Sequence, residues 1–419
     1  MRLIFANRFF YPDQSATSRV VSSLAFQLAS SGMEVVALTS RSRYDGDEGR
    51  LPSEETVRGV RIVRLPAPLS GGSTAGRLGG YLGFHAALAG WLLFNARRDD
   101  VCVVCTDPPL LTVSSTAALL ARGAKKIDWI MDLFPEVASG LGVRGLRGPG
   151  GSVALAFRDW AHRQADLIIC PFDGMATYLK AHAARLPPLA VVNHWSDGEE
   201  IRTVVRGSNP LRQHWKLDDD FVVGYSGNFG RAHDFGTLIE AAGLLRGDEG
   251  IRFLLIGHGN QLAAVKAEVK ARKLDNVEFR PFQPSAQLSD SLGAADVHLV
   301  SLQPQLKHCI VPSKLYGILA AGRPTLFIGA SDDEVASVLR RGECGETVSP
   351  GDGAGLAARI RQLRDDPELA TAMGKRARRL FEAEFTRERG VSRWVQAVAP
   401  FLDGAPARPI FAVNQGAQN

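Results

Sequence analysis

Short apolar runs bounded by polar turns, each followed by a stretch with helix-spaced apolar positions, recur along most of this chain. The run LIFA (3–6) precedes a polar loop, NRFFYPDQSATSR, then a helical pattern over residues 20–31 closed by Gly32, then the run EVVALTS. The alternation continues through DVCVVCT, KKIDWIM and ADLIICP, and again through FVVGYS, FLLIG, NVEFR, ADVHLVS and TLFI. Continuous apolar strands interleaved with helices predict parallel sheets covered by helices on both faces. We therefore expect an α/β chain of two doubly wound, Rossmann-like parallel-sheet domains, at 1–196 and 218–384. Polar residues 197–217 read as a linker, 385–402 as a last helix, and 403–419 as a Gly/Pro/Ala-rich flexible tail.

The most hydrophobic stretch, LGGYLGFHAALAGWLLFNA at 78–96, is just long enough to cross a bilayer core. Four glycines, His85 and Asn95 weaken that reading, and flanking Arg77, Arg97 and Arg98 suit a helix at headgroup level. A peripheral docking helix, a buried domain helix and a spanning helix all remain open here.

The 419 residues are 45% hydrophobic and 22% charged, a globular composition with room for two cores. The net charge of +5 fits an anionic substrate or an acidic membrane surface, while the scattered basic residues speak against nucleic acid. Five cysteines are sparse and odd in number, as in a reducing compartment. Cys102 and Cys105 share a strand at an odd offset that turns them to opposite faces, which gives no metal or redox pair. The start of the chain runs directly into LIFA without a secretory pattern, so we expect cytoplasmic residence. Asp45-Gly46-Asp47 and Asp218-Asp219-Asp220 read as solvated loops, and no metal is expected.

Three strand ends carry candidate chemistry. Asp132 and Glu136, in DLFPE, follow a strand at the edge where open α/β sheets hold ligands. After FVVGYS comes GNFGRAHD, where Gly227 and Gly230 let the backbone approach a ligand and Arg231 supplies a charge. A second glycine turn, GHGN, holds Gly257 and Gly259. In KHCIVPSKLYGILAAGRPTLF (307–327), Ser313 and Lys314 open a predicted helix and are placed to grip a phosphate.

The run PSKLYGILAAGRP resembles the C-terminal-domain signature of the large retaining family of bacterial sugar-nucleotide glycosyltransferases usually numbered four. The likeness is to its exopolysaccharide, capsule and O-antigen branch and extends over nearly the whole chain. It implies the GT-B fold, two such domains facing a cleft, with the last helix packing back on the first. It further implies a UDP- or GDP-sugar donor and transfer of a hexose or aminosugar, with retention, to a polyprenyl-diphosphate-linked glycan at the inner face of the plasma membrane. By resemblance, Tyr11, Pro12, Asp13 and Ser15 face the acceptor. The loop with Gly227, Asn228, Gly230 and Arg231 faces the donor's diphosphate, and Arg280 and Phe282 border the base. The family's two glutamates, eight positions apart, correspond to Cys309 and Gly317, and Glu334 is a substitute ligand. Met131 stands where many members have histidine. A sugar-nucleotide epimerase of the same fold and a non-catalytic assembly scaffold are the rival readings.

Overall fold

The computed structural model describes residues 1–13, 15–42, 51–66, 74–143, 145–146 and 148–402. The Asp45-Gly46-Asp47 triplet and the tail from 403 lie outside them. The chain divides into two compact units, residues 1–193 with 388–419, and residues 194–387.

The first unit runs β1 (Leu3–Ala6), α1 (Ala16–Ser30), β2 (Val35–Ser40), β3 (Glu54–Val57), β4 (Val60–Leu65), α2 (Thr74–Asn95) and β5 (Val101–Val104). It continues with α3 (Leu111–Arg122), β6 (Lys125–Trp129), α4 (Glu136–Gly140), α5 (Pro149–Arg163), β7 (Leu167–Cys170), α6 (Asp173–His182) and β8 (Leu189–Val191). The sheet order is β3-β4-β2-β1-β5-β6-β7-β8, parallel except for the β3–β4 hairpin. Strands β1, β2 and β5 are buried at every position, because helices cover both faces. Gly32, at a φ of 90°, ends α1 in the left-handed conformation a residue with a side chain avoids.

Helix α2 settles part of the ambiguity at 78–96. Phe84, Leu88 and Leu92 sink into the core against Ile4, Val36 and Val104, each contributing about 1.5–3 kcal/mol. That burial rules out a spanning helix, and no helix among the described residues is long and apolar enough to cross a membrane. Between α3, β6 and α5 lies a buried polar network. Lys126 Nζ donates to Asp128 Oδ2 at 2.8 Å and to Thr112 Oγ1 at 2.7 Å, and His162 Nδ1 lies 2.8 Å from Asp128 Oδ2. Burial works against the Asp128 charge, yet Lys126 and His162 outweigh it and hold the carboxyl below the usual range.

The second unit runs α7 (Pro210–His214), β9 (Phe221–Ser226), α8 (Gly236–Leu244), β10 (Ile251–Ile256), α9 (Leu262–Ala271), β11 (Val277–Arg280) and α10 (Leu288–Gly293). Then come β12 (Val297–Ser301), α11 (Lys314–Ala320), β13 (Thr325–Ile328), α12 (Glu334–Gly342), β14 (Gly345–Val348), α13 (Gly353–Asp365) and α14 (Pro367–Glu384). All its strands are parallel, in the order β11-β10-β9-β12-β13-β14. Residues 197–217, whose polarity predicts a linker, instead include α7 and bury Leu211, Trp215 and Leu217 against Val222 and Leu254. Helix α15 (Arg387–Val398) follows, and its Trp394 packs 5.8 Å from the rings of Phe5 and Trp129 in the first unit.

Candidate functional site

In each sheet the strand order reverses beside one central strand, β1 in the first unit and β9 in the second. Loops leaving the carboxyl ends of strands at such a switch point form the natural ligand crevice of an open α/β sheet.

In the second unit the loops after β9, β10 and β12 are stitched together. Gly227 N donates to Ile256 O at 3.0 Å and Phe229 N to His258 O at 2.7 Å. Gln261 Nε2 donates to Gly230 O at 2.7 Å, and Gln303 Nε2 to Arg231 O at 3.0 Å. Gly227 and Gly257 have φ near 147° and 145°, and a Cβ on Gly257 would overlap the Gly227 carbonyl. Glycine is thus required where the two turns meet. Gly259 is crowded in the same way by Asn228 and Phe229, while Asn228 itself and Arg231 are exposed.

Lys314 lies directly on this double turn. A Cβ on Gly227 would stand 3.1 Å from Lys314 Cε and 3.2 Å from Nζ. The ammonium donates to Tyr225 Oη at 2.7 Å, and Tyr225 Oη donates in turn to Asn228 O at 2.8 Å. Loss of hydration alone pushes Lys314 down to about 7, with no carboxylate contributing among the described residues. His233 Nδ1 lies 2.6 Å from Ser301 O, and burial together with the Lys314 charge drives its imidazole down to about 3. It is a neutral structural strut between the loops after β9 and β12. Ser313 precedes α11, half-buried, with no capping bond from its side chain.

Other candidates fare differently. Phe282 is exposed and meets His258 edge-on at 4.8 Å, beside the second glycine turn, rather than filling the core. Arg280 pairs with Glu278 and lies 5.6 Å from the Trp215 ring, and it meets the glycine turn through its carbonyl, which accepts from Gly257 N. Glu334 opens α12, where its charge reaches Tyr316 and Asp333. Cys309 is buried, and a Cβ on Gly317 would meet Ile201 and Leu292 at 3.6 Å, an apolar setting for the position of a family glutamate.

In the first unit, loops after β1, β5 and β6 bring acidic groups together. Burial pushes Asp107 up to about 6, with Arg8 opposing and Asp13 adding to the rise. Crowding by protein atoms and the Asp107 charge also move Asp132 up to about 6, although one side of it is exposed. Thr106 Oγ1 orients this loop by accepting from Met131 N at 3.2 Å and Asp132 N at 3.3 Å. Asp13 Oδ1 accepts from Ser15 N at 2.7 Å, which fixes the turn into α1, and Tyr11 reaches the surface beside Phe26. Glu136, expected beside Asp132 as a catalytic carboxylate, is instead bound to Arg158 at 2.5 Å in a largely buried ion pair. That pairing commits Glu136 to Arg158 and sets it apart from Asp107 and Asp132.

Sequence reasoning passed over Arg8, Asp107 and Tyr225. Asp107 had a readable signal, since it follows a buried strand in DPP much as Asp132 does in DLFP.

Residues 15–195 match the model of the Glycosyl transferase 4-like domain, and residues 209–380 that of Glycosyl transferases group 1. The chain is 26% identical to WcaI of Escherichia coli, named as a colanic acid biosynthesis glycosyl transferase, over 92% of this chain and 97% of that one. It is 24% identical to the glycosyltransferase WbjE of Pseudomonas aeruginosa, over 74% and 77%. Among solved structures, sucrose-phosphate synthase of Thermosynechococcus elongatus shares the fold with a TM-score of 0.76 at 17% identity, over 95% and 99% of the two chains. HepE of Anabaena, in complex with UDP and glucose, does so with a TM-score of 0.72 at 14% identity, over 96% and 100%. The neighbouring structures have the GT-B architecture, and the two parallel-sheet α/β units described above share that fold.

Proposed function

We propose that this chain, which matches models of two glycosyltransferase domains, moves a hexose or aminosugar from a UDP- or GDP-sugar to a polyprenyl-diphosphate-linked glycan, retaining the anomeric configuration, in surface-polysaccharide assembly. The work would take place in the cytoplasm, at the inner face of the membrane.

The observation that carries this reading is Lys314, a half-buried cation held against a double glycine turn at the carboxyl edge of the second sheet. In the reaction the anomeric carbon–oxygen bond to the β-phosphate breaks, and an acceptor hydroxyl oxygen bonds to that carbon and gives up its proton. Charge accumulates on the departing diphosphate while the sugar becomes cation-like. Lys314, Arg231 and the amides of the glycine turns would meet that charge, which is the largest electrostatic contribution available here. A divalent ion is then not called on. Asp132, raised toward the pH at which it exchanges a proton, would bind or deprotonate the acceptor hydroxyl. Tyr11 and Ser15, near the start of the same unit, are assigned to the acceptor.

The test is calorimetry of UDP, GDP and ADP and their common sugars against wild type and Lys314→Ala, followed by NMR of the product. Binding of one nucleotide sugar, lost in the variant, supports the assignment. Binding that survives it, or a product of inverted configuration, overturns the corresponding part.

A further inference from the structure

The exposed apolar side chains of this protein are not scattered. Of the twelve large hydrophobic residues exposed among the described ones, eight lie on α2, α3 and α5. These helices are neighbours in one layer, α2 beside α3 and α3 beside α5. The inner sides of α2 and α3 share one buried core, and α3 meets α5 at the Asp128 network.

The outer side is apolar along each helix. Leu78 and Leu82 are one turn apart on α2, and Leu93 and Phe94 continue its exposed side, Phe94 at 80% exposure. Leu120 is exposed on α3. On α5, Val153, Phe157 and Trp160 fall at the spacing of a single helix face, with Phe157 at 56% exposure. Neither α2 nor α3 contains an acidic residue, and Asp159, the one in α5, is paired with Arg158 at 2.8 Å.

Topology adds a charged margin. Each helix leads into a strand of the same parallel array, so the three carboxyl ends emerge along one edge. Exposed Arg97 and Arg98 follow α2, Arg122 lies in the last turn of α3, and Arg163 in that of α5. Their adjacency is direct, since Arg122 Nε donates to Ala96 O at 2.7 Å and Arg98 Cγ lies 3.6 Å from where a Cβ on Gly123 would stand. Beside these arginines Asp99 is engaged with the Met1 amine at 3.0 Å and Asp166 with Lys126 N at 2.7 Å, while exposed Glu34 lies farther along the edge, before β2.

An apolar face several helices wide, with no unpaired carboxylate among the described residues of its three helices and bordered by arginines, has the chemistry of an interfacial surface. We propose that the outer face of α2, α3 and α5 docks on an anionic lipid bilayer, its leucines and aromatic rings at the acyl boundary and its arginine margin on the lipid phosphates. This deepens the assignment of a lipid-linked acceptor and rests on it for its purpose, but docking itself requires no catalysis.

The experiment is flotation of the full chain with phosphatidylcholine vesicles, with and without phosphatidylglycerol, at low and high salt. The wild type binds the anionic vesicles and is released by salt. A triple variant F94S/F157S/W160S, and separately R97A/R98A/R163A, each weaken binding by about tenfold or more. Both sets alter exposed positions, and calorimetry with nucleotide sugar checks that each stays folded and binds donor as before. The proposal fails if the wild type does not float at low salt, or if both variants float like wild type. It fails equally if F157S/W160S alone has no effect, or if sedimentation shows a dimer that the apolar variant dissolves, which would make the occupant a second copy. A wild type that floats but binds no nucleotide sugar leaves the docking face standing and removes the transferase reading.

Discussion

The ammonium of Lys314 and the hydroxyl of Tyr225 are 2.7 Å apart, with Nζ also 4.0 Å from the centroid of the same ring, although 89 positions separate the two residues. Tyr225 offers an acceptor and a ring face without neutralising the charge. A buried aromatic thus aims a lysine whose remaining donors are available to an anion.

From that arrangement, Lys314→Ala is expected to weaken nucleotide-sugar binding by roughly 10- to 100-fold, the value of one charge-assisted contact at about 1.5–3 kcal/mol. Tyr225→Phe keeps the ring but removes both the acceptor for Lys314 and the donor to Asn228 O, neither of which touches the ligand, so a smaller loss of roughly 3- to 10-fold is expected. Titration calorimetry of both variants decides it, and equal losses would contradict the division of roles.

Proton uptake should accompany binding above neutrality. The ordinary lysine value is 10.5, and in the free protein desolvation lowers Lys314 to about 7, so between those values the unfolded chain holds a proton the native one lacks. Folding stability therefore rises with pH through this window as far as Lys314 is concerned. A bound diphosphate restores the charged form, and at about pH 8 the apparent binding enthalpy should vary with the buffer's ionisation enthalpy. The same titrations on Lys314→Gln should show no such variation. Buffer-independent enthalpies in the wild type would exclude the coupling.

Desolvation raises Asp132, and the Asp107 charge adds to the rise. If Asp132 takes the acceptor proton, the acidic limb of the rate profile lies near pH 6, with activity rising as its carboxyl ionises. Asp107→Asn removes a like charge, so the limb should shift toward lower pH, while Asp132→Asn should abolish it. An unmoved limb in Asp107→Asn would assign the titration to another group.

Glu136→Ala should act on stability and not on chemistry. It leaves Arg158 buried beside Asp159 alone, and loss of one partner of such a pair costs about 3–5 kcal/mol. Thermal melting should fall accordingly, with kcat per folded molecule within about threefold of wild type. A loss of kcat of several orders at unchanged melting temperature would return Glu136 to the active site.

Much of the fold was legible as pattern. Runs such as LIFA, VCVV and TLFI are apolar throughout because both sheet faces are covered, and Gly32 and Gly322 mark helix ends through positive φ. The β3–β4 hairpin escaped notice although TVRGVRIVRL alternates in the manner of a half-exposed strand. The supposed linker escaped because Leu211, Trp215 and Leu217 are diluted by polar neighbours, and only the strand they cover makes their burial visible.

By itself, then, the sequence determined the order of most elements, the two parallel sheets and the glycine turns at their carboxyl edges, because these depend on local periodicity and on backbone freedom at single residues. Tertiary structure decided what each charged group does. Lys314 meets Tyr225, Glu136 meets Arg158, Asp132 feels Asp107, and α2 buries Phe84 while exposing Phe94. Pairing and desolvation depend on which groups distant segments bring within a few ångströms, and no spacing along the chain encodes that distance.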